Sequence, residues 1–194
     1  MAGNYKSVYV TLSASAHSEG EREVNDYYAT DPQALESFLS LWGGRLSPDI
    51  WECACGAGHL AKVLVRHGYN VTATDLIDRG YGTAGIDFLR CTEKFDGDIV
   101  TNPPYKFAQE FVEKALDLVG EGNRVVMFLK LQFLEGQRRQ RLFERKDLEY
   151  VYVFSKRVIC AKNAEFEKIS SSAVAYAWFV FRKGYGKEPV IRWI

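Results

Sequence analysis

The sequence predicts an α/β protein in which a mostly parallel sheet carries helices on both faces. From residue 50 onward, short apolar runs alternate with longer amphipathic segments, the order that produces strand–helix–strand crossovers. A glycine-containing bend follows the first of these strands, and a proline-containing turn follows a later one. Because ligands of such sheets bind beyond the carboxyl ends of the strands, both turns belong to a candidate binding edge.

A helix is predicted first, before the alternating region. Thr30 or Asp31 can cap it, Pro32 suits its first turn, and Gly43-Gly44 can end it. Its apolar residues repeat at helical spacing: Leu35, Phe38, Leu39 and Trp42.

The alternating region then predicts six strands and two helices. The strands lie at residues 50–54, 70–74, 98–101, 124–129, 150–154 and 173–181, and the helices at residues 59–67 and 108–118. Residues 1–25 are polar and aperiodic and predict a flexible arm, so that residues 26–194 form a single domain.

Composition and cysteine spacing exclude several classes of protein. Hydrophobic residues make up 47% and charged residues 26%, as in folded proteins and unlike disordered ones. No apolar run approaches the roughly 18 residues of a membrane span, and no secretory signal is visible, so we expect a cytoplasmic protein. The cysteines lack the paired spacing of a zinc site, so we expect reduced thiols and no metal: Cys53, Cys55, Cys91 and Cys160.

Charge is divided unevenly along the chain, although the formal net charge is zero. Residues 1–129 contain 11 Lys and Arg against 18 Asp and Glu, whereas residues 130–194 contain 14 against 7. This asymmetry predicts a basic face for a polyanion, the alternative being that the charges intermix once the chain folds. The candidate phosphate contacts are Arg138, Arg139, Arg141, Arg145 and Arg157, for which a solvated helix surface is the alternative.

Residues 51–60 follow a predicted strand and open a predicted helix. Glu52 stands at the end of the strand, and the glycines of residues 56–58, here called the glycine bend, allow a ligand to approach the backbone closely. Gly-x-Gly is a weak signal alone, and the third glycine of the dinucleotide fingerprint is absent. Asp75, however, ends the next strand, where its carboxylate can accept hydrogen bonds from both hydroxyls of a ribose. The pair predicts a cofactor site, with helix-capping surface acids as the alternative.

The most specific signal is Asn102-Pro103-Pro104-Tyr105, here called the proline turn, which follows a buried strand. The two prolines stiffen the turn and remove two backbone donors. The Asn102 amide oxygen and the Pro103 carbonyl can then accept both hydrogens of one amine, and Tyr105 offers a flat face for the ring that carries it. The turn therefore predicts alignment and polarisation of an amine nucleophile, a rigid surface turn being the alternative.

Together these segments resemble class I methyltransferases that use S-adenosylmethionine, and the proline turn resembles motif IV of those that methylate amines conjugated to a ring or carbonyl. The resemblance implies a Rossmann-like fold with a mostly parallel seven-stranded sheet and an antiparallel C-terminal strand. It implies that Glu52 faces the methionine end of the cofactor, that Asp75 holds the ribose, and that Asp87 meets the adenine amine. The implied cofactor contacts are Tyr28, Thr30, Pro32, Glu52, Ala54, Gly56, Gly58, Asp75, Leu76, Asp87, Phe88 and Asn102.

The substrate most favoured is the N6 amine of adenine in DNA. Residues 27–32 resemble motif X of adenine methyltransferases, and the end of the chain, from residue 175, resembles the tail of short phage and prophage members. These features and the basic residues favour DNA as the substrate, and the adenine would then be flipped out of the duplex. The chain has no room for a separate recognition domain, so we expect low sequence specificity. RNA adenine or guanine, a protein glutamine amide, and a catalytically silent nucleic-acid-binding module remain alternatives.

Overall fold

The structure, a computed structural model, describes residues 28–42, 44–158, 160–162 and 174–194. The predicted flexible arm, residues 1–25, lies outside the described residues. Among the helices of the described residues, none is both long and apolar enough to cross a membrane.

Nine strands and four helices follow one another along the described chain. The strands are β1 Tyr28–Thr30, β2 Asp49–Glu52, β3 Asn70–Ala73, β4 Asp98–Thr101, β5 Arg124–Lys130, β6 Leu148–Val153, β7 Cys160–Lys162, β8 Tyr176–Arg182 and β9 Val190–Trp193. The helices are α1 Pro32–Trp42, α2 His59–Arg66, α3 Ala108–Leu118 and α4 Gln140–Glu144.

Seven of these strands form one sheet in the order β3-β2-β4-β5-β8-β6-β9. Neighbouring strands are parallel except that β8 runs antiparallel to both β5 and β6. The predicted architecture, a mostly parallel seven-stranded sheet with an antiparallel C-terminal strand, is therefore confirmed. Since all crossovers from β2 to β5 connect parallel strands, the carboxyl ends of β2, β3 and β4 meet at one edge of the sheet.

Helices cover the two faces of the sheet over two separate apolar cores. Successive residues of a strand point to opposite faces, so Ile99 packs with α3 on one side whereas Val100 packs with α1 and α2 on the other. Asp31 accepts a hydrogen bond from the Gln33 backbone N–H at 2.9 Å and so caps α1, as predicted. The four apolar residues predicted for that helix are all buried: Leu35, Phe38, Leu39 and Trp42.

Three strands were not expected from the sequence, which are β1, β7 and β9. β1 pairs antiparallel with β7, so the segment that resembles motif X enters a two-stranded ribbon before α1 begins. The end of the chain forms β9, which pairs parallel to β6 at the edge of the sheet. Such short strands depend on pairing with residues that are distant in the sequence, so the local sequence pattern does not predict them.

Asp98, the first residue of β4, lies at the opposite end of the sheet from the proline turn. Its buried carboxylate accepts hydrogen bonds from the backbone N–H groups of Arg124 (2.6 Å) and Ser47 (2.8 Å). Burial raises the pKa of this carboxyl, and these two hydrogen bonds oppose the shift. Asp98 therefore joins β4 to the starts of its neighbours, and its role is structural.

Candidate active site

A cavity of about 380 Å³ opens at the edge where β2, β3 and β4 end. This size is within the range of small-molecule sites. Its lining comes from β1, the end of β2, the start of α2, the loop after β3, the loop after β4 and the first half of α3. The cavity brings together the following predicted residues: Thr30, Glu52, Ala54, Asp75, Leu76, Asp87, Phe88, Asn102, Pro103, Pro104 and Tyr105.

The glycine bend connects β2 to α2 through left-handed backbone. Gly56 has φ 54° and Gly58 has φ 78°, conformations that an L side chain rarely adopts. The bend is further held because the Gly58 N–H donates to the Cys55 carbonyl (2.8 Å) and the Cys55 N–H donates to the Thr74 carbonyl (3.0 Å). It is therefore a pre-shaped turn anchored to the end of β3.

Asp75 links the glycine bend to the loop after β3. One carboxylate oxygen accepts the Gly56 N–H at 2.8 Å, and the other accepts the Ile77 N–H at 2.9 Å. Each oxygen has two lone pairs, so the carboxylate can still accept hydrogen bonds from a ligand. The side chain thus orders two loops of the cavity wall while it faces the cavity.

Glu52 is an acidic side chain buried in the cavity wall. It is 2% exposed, and its Oε2 atom has no hydrogen-bond partner among the described residues. Burial raises the pKa of this carboxyl well above its ordinary value, a hydrogen bond with the Ala61 backbone opposes the shift, and the charge of Asp75 adds to it. A buried carboxylate without a counter-charge is costly, so this position suits a cationic group of a ligand.

Replacing Glu52 with glutamine should make the cofactor-free protein relatively more stable as pH rises. The raised pKa of Glu52 in the folded state means that stability is full below the unfolded pKa, about 4.5, and is lost as pH rises through the folded pKa. Glu52→Gln removes this titration and keeps the size and shape of the side chain. The difference in free energy of unfolding, measured by urea denaturation from pH 5 to 8, should grow with pH. A constant difference would contradict the assignment.

The proline turn leaves the sheet directly from β4, all four residues of which are buried. The Asn102 Oδ1 atom is shielded from solvent, and the Pro104 carbonyl accepts the Phe107 N–H at 2.9 Å, which closes a single 3-10 turn. The ring of Tyr105 is half-buried and lies 5.8 Å from that of Tyr176. The turn is therefore rigid on both sides of Asn102.

Asp87 and Phe88 reach the cavity wall without a preceding strand. Among the fully described residues between β3 and β4, pairing is limited to two isolated parallel bridges, Thr74–Thr83 and Phe95–Val119, and neither includes Asp87. Asp87 instead caps a short 3-10 turn by accepting the Leu89 N–H at 3.1 Å. Phe88 is 2% exposed and packs edge-on against Trp51 at 5.2 Å, so its ring is part of the core and of the wall at once.

Three predicted cofactor contacts are not among the lining residues: Pro32, at the start of α1, and Gly56 and Gly58, in the bend. Tyr28 begins β1, and its side chain lies outside what the structure describes. The lining also contains residues that sequence reasoning missed: Ala29, Cys53, Cys55, His59, Leu60, Ile77, Arg79, Ile86, Leu89, Lys106, Phe107 and Phe111. Most of these adjoin a recognised motif, and adjacency was the only signal that could have found them.

The thiols in the wall are not poised for chemistry. Burial raises the pKa of Cys55 to about 12, with the charges of Glu52 and Asp75 adding to the shift. Burial likewise raises the pKa of Cys53 well above its ordinary value. Since the thiolate is the nucleophile, neither cysteine is an activated one. Among the described residues, no cluster of histidines, cysteines and acids could hold a metal ion.

The basic segment, residues 136–147, lies beside the start of α3. The Gln109 side chain donates to the Arg138 carbonyl at 3.4 Å. Because Gln109 follows the proline turn closely in the sequence, this hydrogen bond holds the basic segment near that turn. The Arg139 guanidinium already donates hydrogen bonds within the protein, to the Phe133 carbonyl at 2.8 Å and to the carbonyl of Glu135. Arg145 is paired with Asp147 at 2.9 Å.

Two of the five predicted phosphate contacts therefore have a structural partner within the protein. The other three are exposed: Arg138, Arg141 and Arg157.

Comparison with known proteins identifies the fold. No protein-family model matches the sequence, and the search of curated proteins found no match. Solved structures do match: a candidate RNA methyltransferase from Pyrococcus horikoshii shares 13% identity at a TM-score of 0.62, over 92% of this chain and 99% of that one. The chain has the class I methyltransferase fold.

Two further methyltransferase-fold structures support this identification. A candidate class I S-adenosylmethionine-dependent methyltransferase from Listeria monocytogenes shares 13% identity at a TM-score of 0.61, over 95% of this chain and 71% of that one. The modification subunit of a candidate type I restriction enzyme from Vibrio vulnificus shares 14% identity at a TM-score of 0.64, over 96% of this chain. This chain spans 50% of that subunit's length. At such low identity the likeness shows the methyltransferase fold and not the substrate.

Proposed function

We propose that the protein transfers the methyl group of S-adenosylmethionine to the N6 amine of adenine in DNA. The observation that carries this proposal is the convergence of Glu52, Asp75, the proline turn and the residues that flank the glycine bend on one cavity. These elements come from distant parts of the sequence, so their meeting at one sheet edge depends on the fold. The solved neighbours include one described as a candidate RNA methyltransferase and one described as the modification subunit of a candidate type I restriction enzyme, which supports nucleic acid as the class of substrate.

The residues of the cavity fit this cofactor. Its ammonium group suits the buried Oε2 atom of Glu52, which has no partner among the described residues, and its ribose suits the carboxylate of Asp75. Its adenine suits the wall that contains Phe88. When bound, S-adenosylmethionine supplies an electrophilic methyl carbon attached to a sulfonium. Because a cation beside Glu52 favours the charged carboxylate, we expect cofactor binding to release a proton from this side chain.

The proline turn prepares the amine. The Asn102 amide oxygen and the Pro103 carbonyl accept the two amine hydrogens, so the nitrogen loses planarity and its lone pair becomes available. In this arrangement Asn102 and Pro103 would hold the lone pair towards the methyl group that bound S-adenosylmethionine supplies, the thioether would be the leaving group, and the extra proton would pass to water. The protein contributes alignment and polarisation and requires no strong general base.

The target must enter a cavity that a base in a duplex cannot reach. Flipping the adenine out of the stack costs a few kcal/mol, and Tyr105 offers a ring face on which the flipped base can stack. The exposed arginines of the basic segment would contact phosphates, which positions the strand without reading its sequence. We therefore also propose low sequence specificity.

One assay tests the proposal directly. Purified protein is incubated with tritiated S-adenosylmethionine and offered duplex DNA, single-stranded DNA, RNA and protein extract in parallel, and the labelled product is digested and identified. We expect label in N6-methyladenine from DNA. Label confined to RNA or to glutamine would overturn the choice of substrate, and DNA binding without any transfer would indicate a silent module.

Replacing Arg138 and Arg141 with glutamine should weaken DNA binding similarly for all sequences. Both side chains are exposed beside the start of α3, so each can neutralise one phosphate. The slope of log affinity against log salt should become shallower by about 1–2 units, as measured by fluorescence anisotropy. Arg66→Gln is the matched control, since Arg66 is exposed on α2 and paired with Glu36. An unchanged salt slope would mean that these two arginines do not contact DNA phosphates.

A further inference from the structure

The loop after β3 packs a tyrosine ring directly on the glycine bend. A Cβ atom built on Gly58 would lie within 2.6 Å of three ring carbons of Tyr81, closer than real side-chain contacts allow. The ring therefore lies against the bare α-carbon of Gly58. Gly58 is a glycine for two reasons, its left-handed φ of 78° and this contact.

The backbone conformation on either side of Tyr81 is consistent with this ring contact. Gly80 (φ 77°) and Gly82 (φ 69°) flank it in left-handed conformations, so the loop turns sharply on both sides of the ring. A Cβ on Gly82 would lie 2.6 Å from the Ala73 carbonyl oxygen and 3.0 Å from Cys55 Sγ. The loop thus lies close against the end of β3 as well as the bend.

Further contacts join Tyr81 to the residues around the bend. Cys55 Sγ donates to the Tyr81 carbonyl at 3.5 Å. Lys62 Nζ lies 5.0 Å from the centroid of the Tyr81 ring and also donates to the Ala57 carbonyl at 3.0 Å. The bend is therefore held by Tyr81, by Lys62 and by the Asp75 carboxylate on the Gly56 N–H.

We propose that Tyr81 is a positioning residue that keeps the glycine bend in its ligand-binding shape. Two glycines in three residues make the bend one of the most conformationally free segments of an unfolded loop. Ordering such residues costs conformational entropy, and a packed ring orders them before the ligand binds. This inference rests on the proposed function, in which the bend holds S-adenosylmethionine.

The test compares Tyr81→Ala with Tyr81→Phe in the full chain. Calorimetric titration with S-adenosylmethionine should show binding about ten-fold weaker for Tyr81→Ala, the effect of ordering one further residue on binding. Tyr81→Phe keeps the ring and should bind like the parent. In steady-state assays the KM for the cofactor should rise in Tyr81→Ala while kcat at saturating cofactor is unchanged, whereas general destabilisation would lower kcat.

Tyr185→Ala is the matched control. Its ring also has a cation nearby, with Arg182 Cζ 4.8 Å from the centroid, but it lies in the turn between β8 and β9. Circular dichroism checks folding, and Tyr81→Leu, which keeps apolar bulk without a flat ring, replaces the alanine variant if that variant does not fold.

The possible outcomes separate the two claims. A parent protein that does not bind S-adenosylmethionine would contradict the proposed function itself. A parent that binds it, with Tyr81→Ala or Tyr81→Leu binding equally tightly, would overturn only the positioning role of Tyr81. Loss of binding in Tyr81→Phe would also overturn it, because the hydroxyl and not the ring would then be the important group.

Discussion

Replacing Asn102 with alanine should nearly abolish methyl transfer while cofactor binding stays close to that of the parent. The Asn102 amide oxygen is one of two acceptors that we assign to the substrate amine, and it follows a fully buried strand. Removing a single pre-positioned polar group from such a site lowers kcat by about 10²–10³-fold. Single-turnover transfer of tritiated methyl to adenine-containing DNA measures the chemical step, and calorimetry measures the affinity for S-adenosylmethionine.

Asn70→Ala provides the matched control for this experiment. Asn70 is an exposed asparagine at the start of β3, with its side chain 3.2 Å from Asp49 at the opposite end of the sheet. It should leave both transfer and cofactor affinity unchanged. If Asn102→Ala transfers methyl groups at the parent rate, the proline turn is not the catalytic element, and the proposed mechanism is wrong.

Replacing Asp75 with alanine should have its largest effect on cofactor affinity. The substitution removes the proposed ribose contact and leaves the N–H groups of Gly56 and Ile77 without the acceptor they now have. Hydrogen bonds to a charged group are worth about 1.5–3 kcal/mol each, so we expect S-adenosylmethionine to bind about 100-fold more weakly. Calorimetric titration, or the KM for the cofactor, measures the loss.

Asp78→Ala is the appropriate comparison for Asp75→Ala. Asp78 lies three residues further along the same loop, and its carboxylate also accepts a backbone N–H, that of Gly80, at 2.9 Å. It is exposed, and the cavity lining does not include it among the described residues. Equal losses in the two variants would mean that loop order alone, and not contact with the ligand, explains the effect at Asp75.

The elements built from periodic segments were predicted closely. The predicted spans at residues 98–101 and 108–118 coincide with β4 and α3, and the others differ from the observed elements by a few residues at their ends. In these segments apolar residues recur at a regular spacing, and this spacing predicts which residues are buried. The antiparallel position of β8 and the seven-stranded count came from the family resemblance, and the structure confirms both.

The prediction was weakest where a residue's role depends on a distant contact. Asp87 was expected from the family resemblance alone, and the structure shows that it caps a 3-10 turn at the cavity wall. Arg139 was predicted to contact a phosphate, and in the structure it donates to the carbonyls of Phe133 and Glu135. A side chain's partners lie several residues away or in another element, so neither outcome follows from the residue type or its immediate neighbours.

The sequence by itself determined the fold class, the glycine bend and the proline turn, because each of these depends on the conformational limits of neighbouring residues. Only the tertiary structure decided that the proline turn and the residues flanking the glycine bend line one cavity, that β1 pairs with β7 beside it, and that the ring of Tyr81 lies on Gly58. The physical reason is range: backbone preferences act within a few residues, whereas the shape of a site depends on which distant segments the buried sheet brings together.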